Sequence, residues 1–195
     1  MGKISMIIKK FGFFSPRDEW DMRFQHELCW SRVYEYPFVL SEIRSAGAEF
    51  LDIHNCSWGF RDIHAVFKAY LDNDENWVVH SDIIPSTLYN TEIWDITTPS
   101  KYKDHFDVVI NVSTIEEVNG DHVQIIKNHL EQLKTGGIFI MTFDYPGIQL
   151  ERVEEFVGQK ISVPEVKLTP RNSVLPDTMI GLPDTFNVGY LVIRK

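Results

Sequence analysis

An apolar run at Phe106, Val108, Val109, Ile110 and Val112, mostly β-branched, precedes apolar residues at Val123, Ile126, Leu130 and Leu133, and then a second apolar run from Ile138 to Phe143. Both runs are too apolar for a sheet with one wet face and read as strands buried on two sides. The middle set is spaced three, four and three, the period of an amphipathic helix. Two buried strands joined by a helix run parallel, because only a long crossover returns the chain to the same end of a sheet. This unit dictates an α/β layered fold with helices on both faces.

The flanking pattern extends it. Phe50, Leu51 and Ile53 predict a strand, and Ile63, Val66, Phe67 and Tyr70 a helix. Trp77, Val78 and Val79 predict a second strand ending at Asp82, residues 85–90 a short helix or turn, and residues 93–96 a third strand. Lys134, Gly136 and Gly137 read as the close of the helix that begins near Val123, with a cation at its negative end and a glycine cap. Leu150, Val153 and Val157 predict a further helix, and residues 163–168 and 188–193 two late strands. Their link contains Pro170, Pro176, Gly181 and Pro183 and is too polar for a helix. The final strand is therefore expected to return antiparallel at the sheet edge. Long links without secondary structure are often functional or mobile.

At the amino end, Pro16, Asp18 and Glu19 resemble a helix start, and Trp20, Phe24 and Leu28 recur on one face. Pro37 either kinks this segment or opens a second helix through Phe38, Leu40 and Ile43, which Gly47 ends. Residues 1–48 are thus expected to form a helical cap, and residues 49–195 an α/β core, in one domain of 195 residues.

Hydrophobic residues make up 44% and charged residues 24%, which fits a globular protein rather than a disordered one. The net charge is −9, and residues 151–195 carry six basic and six acidic groups, so the whole excess lies in residues 1–150. An acidic surface repels phosphate backbones, which argues against nucleic-acid binding. No apolar stretch approaches the ~18 residues of a membrane span. Lys9 and Lys10 interrupt any signal-peptide core, which points to the cytoplasm. The two cysteines, Cys29 and Cys56, make no disulfide framework.

Ligands of open parallel sheets bind beyond the carboxyl ends of the strands, at the point where strand order reverses. The segments to read are residues 52–59, 82–86, 95–98, 111–117 and 144–146. Asp52, Asp82 and Asp95 each stand at a predicted strand end. A carboxylate after the second strand suits a ribose diol, because it accepts both hydroxyl hydrogens. Aspartate is also common at turns and caps.

Five segments carry a resemblance. They are Phe50-Leu51-Asp52-Ile53, Ser81-Asp82-Ile83, Trp94-Asp95-Ile96, the run from His105 to Asn111, and Leu133-Lys134-Thr135-Gly136-Gly137-Ile138. In order and spacing they resemble class I S-adenosylmethionine-dependent methyltransferases over roughly residues 30–145. Residues 114–118 and 32–37 are similar to further stretches of that family. The resemblance implies a Rossmann-like sandwich with a mostly parallel seven-strand sheet and an antiparallel edge strand, the edge hairpin being the last two strands. It implies methyl transfer from S-adenosylmethionine to a small-molecule acceptor. By position, Asp52 would orient the methionine end of the cofactor, and His54, Asn55, Cys56 and Gly59 would form the turn beneath it. Asp82 would bind the ribose, Ile83, Asp95 and Ile96 the adenine, and Asn111 would lie beside the sulfonium. Trp30 and Tyr34 would close over the cofactor. Glu117 is the candidate general base, with Glu116 and Asp144 as other carboxylates on that face, and Tyr145 would stack on or hydrogen-bond the acceptor.

The turn after the first strand departs from the family, which is glycine-rich there so that backbone can approach the cofactor. This chain has His54, Cys56 and Trp58 instead. The alternative reading is therefore a methyltransferase fold that no longer methylates, an interaction module whose pocket Trp58 and His54 fill. His26, Cys29, His54 and Cys56 could in principle make four zinc ligands, but their spacing matches no standard site. His122 and His129 read as solvated helix-face residues.

Overall fold

The computed structural model describes residues 6–24, 31–47, 50–57, 65–72, 76–86, 90–168 and 187–195. Seven strands form one sheet in the order β1-β7-β6-β5-β2-β3-β4. They are β1 (Ile7–Phe13), β2 (Asp52–Asn55), β3 (Trp77–Asp82), β4 (Thr91–Ile93), β5 (Phe106–Val112), β6 (Leu133–Tyr145) and β7 (Asn187–Arg194). Strands β2 to β6 pair parallel with one another. Strand β7 pairs antiparallel with both β6 and β1, so it alone runs against the rest.

The mostly parallel sheet with antiparallel pairing at its edge is as the sequence implies, but the edge strand has another origin. It is β1, from the amino end of the chain, and not residues 163–168, where the described structure has only an isolated bridge at Leu168. The helical cap expected over residues 1–48 is corrected accordingly. Ile7–Phe13 is a strand, Met22–Phe24 is a single 3-10 turn, and the helix α1 begins only at Arg32 and ends at Ser45. Of the expected face of Trp20, Phe24 and Leu28, Trp20 is exposed and Phe24 is buried, and Leu28 lies outside the described residues. Pro37 lies inside α1, which continues through it.

Two layers of helix cover the sheet. On one face α1 and α2 (Ala65–Leu71) bring Tyr36, Val39, Ile43, Phe67 and Leu71 against Ile53, Val108, Ile110, Ile140 and Val192. Tyr36 and Phe67 stack with ring centroids 4.0 Å apart. On the other face α3 (His122–Leu130) and α4 (Leu150–Val157) bring Val123, Ile126, Leu130 and Val153 against Val109, Phe139, Met141 and Phe143. Asp121 caps α3 by accepting from the backbone N–H groups of Val123 and Gln124.

Helix α3 stops at Leu130, and Leu133 already pairs with Phe106. Lys134, Gly136 and Gly137 thus belong to a bulge in β6 rather than to a helix cap, because the ladder resumes only at Val108 opposite Ile138. Gly136 has φ +87°, which favours glycine there. A Cβ on Gly137 would lie 3.0 Å from the carbonyl oxygen of Asp107.

Candidate functional site

Strands β2, β3 and β4 follow one another outward from the centre, and β5 then lies on the other side of β2. The strand order reverses between β2 and β5, so the carboxyl ends of β2, β3, β5 and β6 define the candidate ligand face. Several predicted site residues meet there. Asp82 is the last residue of β3 and half-buried, and its Oδ1 accepts from the backbone N–H of Ile84 at 3.2 Å. Ile83 beside it is 64% exposed. Asp95 follows β4 as an exposed turn residue, its Oδ1 accepting from the N–H and the hydroxyl of Thr97.

Others enter the core. Tyr34, His54, Cys56, Ile96 and Asn111 are buried. The imidazole of His54 donates from Nδ1 to Oε1 of Gln132 at 2.5 Å and accepts at Nε2 from the Ser81 hydroxyl at 2.9 Å. Trp94, Tyr102 and Phe106 surround it with ring centroids 4.8 to 5.6 Å away. Burial pulls its pKa down to about 4, so the ring is neutral. Burial likewise raises the Cys56 thiol far above its ordinary value. Asn55 Nδ2 donates to Nδ1 of His80 at 3.1 Å, and its Oδ1 accepts from the N–H of Ser57. The side chains of His54 and Cys56 thus serve the fold, and only backbone remains there for a cofactor. For the same reason His54 does not plug the ligand face and is no metal ligand, since both ring nitrogens are engaged.

Asp52 is corrected as well. It is the first residue of β2, at the opposite end from Asn55, and its Oδ2 accepts from Lys134 Nζ at 2.6 Å. His122 and His129 are not solvated. His129 is fully buried, donates from Nδ1 to the carbonyl of Ile125 at 2.7 Å, and receives the Asn111 amide at Nε2. Its pKa falls to about 4 through burial. Trp30, Gly59, Trp58, His26 and Cys29 lie outside the described residues.

What the sequence reading did not foresee is a cluster of charge at the carboxyl ends of β5 and β6. Glu35 of α1 is fully buried and accepts from the hydroxyls of Ser31 at 2.8 Å, Ser113 at 2.5 Å and Thr142 at 2.6 Å, and from Arg32 Nη1. Burial alone would raise this carboxyl, but the Arg32 charge and the hydroxyl donors outweigh it and hold it below its ordinary value. Ser113, just past β5, has φ +40°, an uncommon conformation for a residue with a side chain.

Beside it stand Glu116 and Asp144. Glu116 belongs to the 3-10 turn Ile115–Glu117, and its Oε1 accepts from the backbone N–H of Asp144 at 2.8 Å. Oε2 of Glu116 and Oδ1 of Asp144 are closed off from solvent and have no hydrogen-bond partner, although both residues keep some surface. Burial and the neighbouring Asp144 raise Glu116 well above the carboxylate range. Burial and Glu35 raise Asp144 to about 7. Glu117, the expected base, points to solvent beside them. The chain crowds this pair, since a Cβ on Gly147 would lie 2.8 Å from the Cβ of Glu116. The signal in the sequence was only the position of two acids after consecutive strands, which does not distinguish a buried carboxylate from a turn residue.

Three solved structures share the fold of this chain. The [4+2]-cyclase SpnF matches with a TM-score of 0.58 at 12% identity, over 91% of this chain and 86% of that one. The CurJ carbon methyltransferase matches at 0.55 and 10% identity, over 85% of this chain and 55% of that one. The chain has the class I methyltransferase fold. The phosphoethanolamine N-methyltransferase 2 of Haemonchus contortus, solved with S-adenosyl-L-methionine, matches at 0.55 and 13% identity, over 87% of this chain and 56% of that one. The chain thus spans little more than half the length of the CurJ and Haemonchus proteins. No protein-family profile matches the sequence, and no curated protein is significantly similar to it. Among the described residues no group of three or more His, Cys, Asp or Glu is arranged to hold a metal, and no helix is long and apolar enough to cross a membrane.

Proposed function

We propose that the chain binds S-adenosylmethionine at the carboxyl ends of β2, β3 and β5 and transfers its methyl group to a small-molecule acceptor. The observation that carries the reading is Asp82. It ends the strand next to the reversal point, keeps a half-exposed carboxylate, and has an exposed Ile83 alongside. A carboxylate there accepts from a ribose diol, and an aliphatic side chain beside it covers an adenine ring. The unpartnered oxygens of Glu116 and Asp144 fit a ligand that brings positive charge and N–H donors. When bound, the cofactor supplies a methyl group already activated on a sulfonium. The protein then needs to align donor and acceptor and exclude water. Asp144 stands nearer than Glu117 to the buried end of this face and ionises near neutral pH, so the proton-accepting role moves from Glu117 to Asp144, whereas Glu116 keeps its proton in the free protein. An acidic, nucleic-acid-repelling surface favours a small acceptor, and a cytoplasmic setting fits the free thiol of Cys56.

The test is calorimetric titration with S-adenosylmethionine and S-adenosylhomocysteine, on the wild type and on Asp82→Ala. Micromolar binding that weakens at least tenfold in the variant supports the site. A folded protein that binds neither ligand overturns the enzyme reading. It would leave in front the second reading, a non-methylating interaction module.

A further inference from the structure

We infer that the Glu116–Asp144 pair reads the charge of the bound donor, favouring a cationic sulfonium ligand over the neutral thioether that methyl transfer leaves behind. The inference rests on the proposed cofactor site. Three observations carry it. The pair lies where β5 and β6 end, and β5 flanks the point where strand order reverses, at the carboxyl end where the cofactor is proposed to bind. Each carboxyl presents one enclosed oxygen with no partner, Oε2 of Glu116 and Oδ1 of Asp144. And the surrounding charge is unbalanced toward the negative. Arg32, ion-paired with Glu35, also acts on Asp144, but burial, Glu35 from α1 and Glu117 on the neighbouring turn outweigh it. From α3, His122 accepts the backbone N–H of Gln149 at Nδ1 and contacts the carbonyl of Val118 at Nε2, so its ring is engaged with backbone groups. Among the described residues no ion pair supplies Glu116 or Asp144 with a cation.

Two carboxyls enclosed beside one another, with more negative than positive charge around them, hold protons that they would otherwise release. A positive ligand charge at that place reverses this and favours their ionised forms. By linkage, ionisation must in turn favour the positive ligand by the same factor. The donor sulfonium is positive and the product thioether is neutral, so the pair strengthens the grip on donor relative to product as it ionises. Methyl transfer removes the charge, the carboxyls retake protons, and the product is held less tightly. The device provides discrimination and product release without any movement of the backbone.

The experiment is titration of the full chain with S-adenosylmethionine and, separately, S-adenosylhomocysteine, in buffers of different ionisation heat, at about pH 6 and about pH 8, values that straddle the shifted Asp144. Donor binding should release more protons than product binding. The donor-to-product affinity ratio should rise by about tenfold between the two pH values, the change that one pKa unit of coupling gives. In Glu116→Gln/Asp144→Asn both differences should disappear, which separates the pair from titration of the ligands' own amino groups. Carboxyl carbon shifts of the wild type, followed by NMR with and without the donor, give a readout that needs no variant to fold. The Asp144 midpoint should move down on donor binding and stay in place with the product. Equal proton release for the two ligands, or an unmoved midpoint, would overturn the inference while leaving the cofactor site intact. Failure of both ligands to bind would overturn the cofactor reading, and this inference with it.

Discussion

Lys134 Nζ lies 2.6 Å from Oδ2 of Asp52 and 2.9 Å from Oδ2 of Asp107, and so ties the amino ends of β2 and β5 to the bulge of β6. Asp107 Oδ2 also accepts from the backbone N–H of Asp52 at 2.9 Å. This is the end of the sheet opposite Asp82.

Asp52→Ala is therefore expected to leave cofactor binding within about twofold of the wild type, and to cost up to about 1 kcal/mol of stability, because the pair is more than a third exposed. Asp82→Ala should do the reverse. Parallel titration and urea unfolding of the two variants check the contrast, and a large loss of affinity in Asp52→Ala would contradict the placement.

Glu35→Gln removes the charge that balances Arg32 in a buried site. Breaking one partner of a buried pair costs about 3–5 kcal/mol, because the remaining charge is stranded. Since Glu35 is held below its ordinary pKa, its contribution is present at neutral pH and is lost as the pH falls through the folded value. Urea unfolding of both proteins should thus show a large gap at neutral pH that narrows in acid.

Asp144 works in the opposite sense. The folded protein keeps its proton up to about pH 7, whereas an ordinary aspartate releases it near 3.8. Rising pH therefore penalises the fold across that window. Asp144→Asn should be stabilising above it, by at most about 4 kcal/mol from three pKa units, and neutral below it. Thermal unfolding of variant and wild type at several pH values reads the difference directly.

His54 and His129 are buried neutral, each with its pKa lowered from 6.5 to about 4. The unfolded chain binds more protons than the folded one between those values, so stability falls as pH drops through them. Replacing either ring by glutamine should reduce the acid-side slope by about one proton. Urea midpoints across that range, compared between His129→Gln and the wild type, test it, and unchanged slopes would show that the rings are not titrating.

The strand at Phe106 and the helix at Leu150 were legible because a buried strand and an amphipathic helix leave different periods in a sequence. β5 runs from Phe106 to Val112 and α4 from Leu150 to Val157, close to where the residue spacing puts them. β1 was not legible. Ile7, Ile8, Phe11 and Phe13 are interrupted by Lys9 and Lys10, a pattern that says only that one edge is wet. The histidines on α3 were misread for a related reason. His122 and His129 lie off the apolar stripe, but Gln149 before α4 and Asn111 of the sheet close over that flank, and the carbonyls of Val118 and Ile125 complete the partners of the rings.

By itself the sequence determined the layers, the parallel centre of the sheet and the placing of Asp82 and Asp95 after strands, because these depend on local periodicity and on short-range turn chemistry. Only the tertiary structure decided that β1 closes the edge, that Asp52 faces Lys134 at the far end, and that Glu35, Glu116 and Asp144 share one buried corner. Those outcomes turn on which surfaces meet across long sequence separations. An acid's pKa and role are set by the dielectric and the charges it meets there, which its neighbours in the chain do not specify.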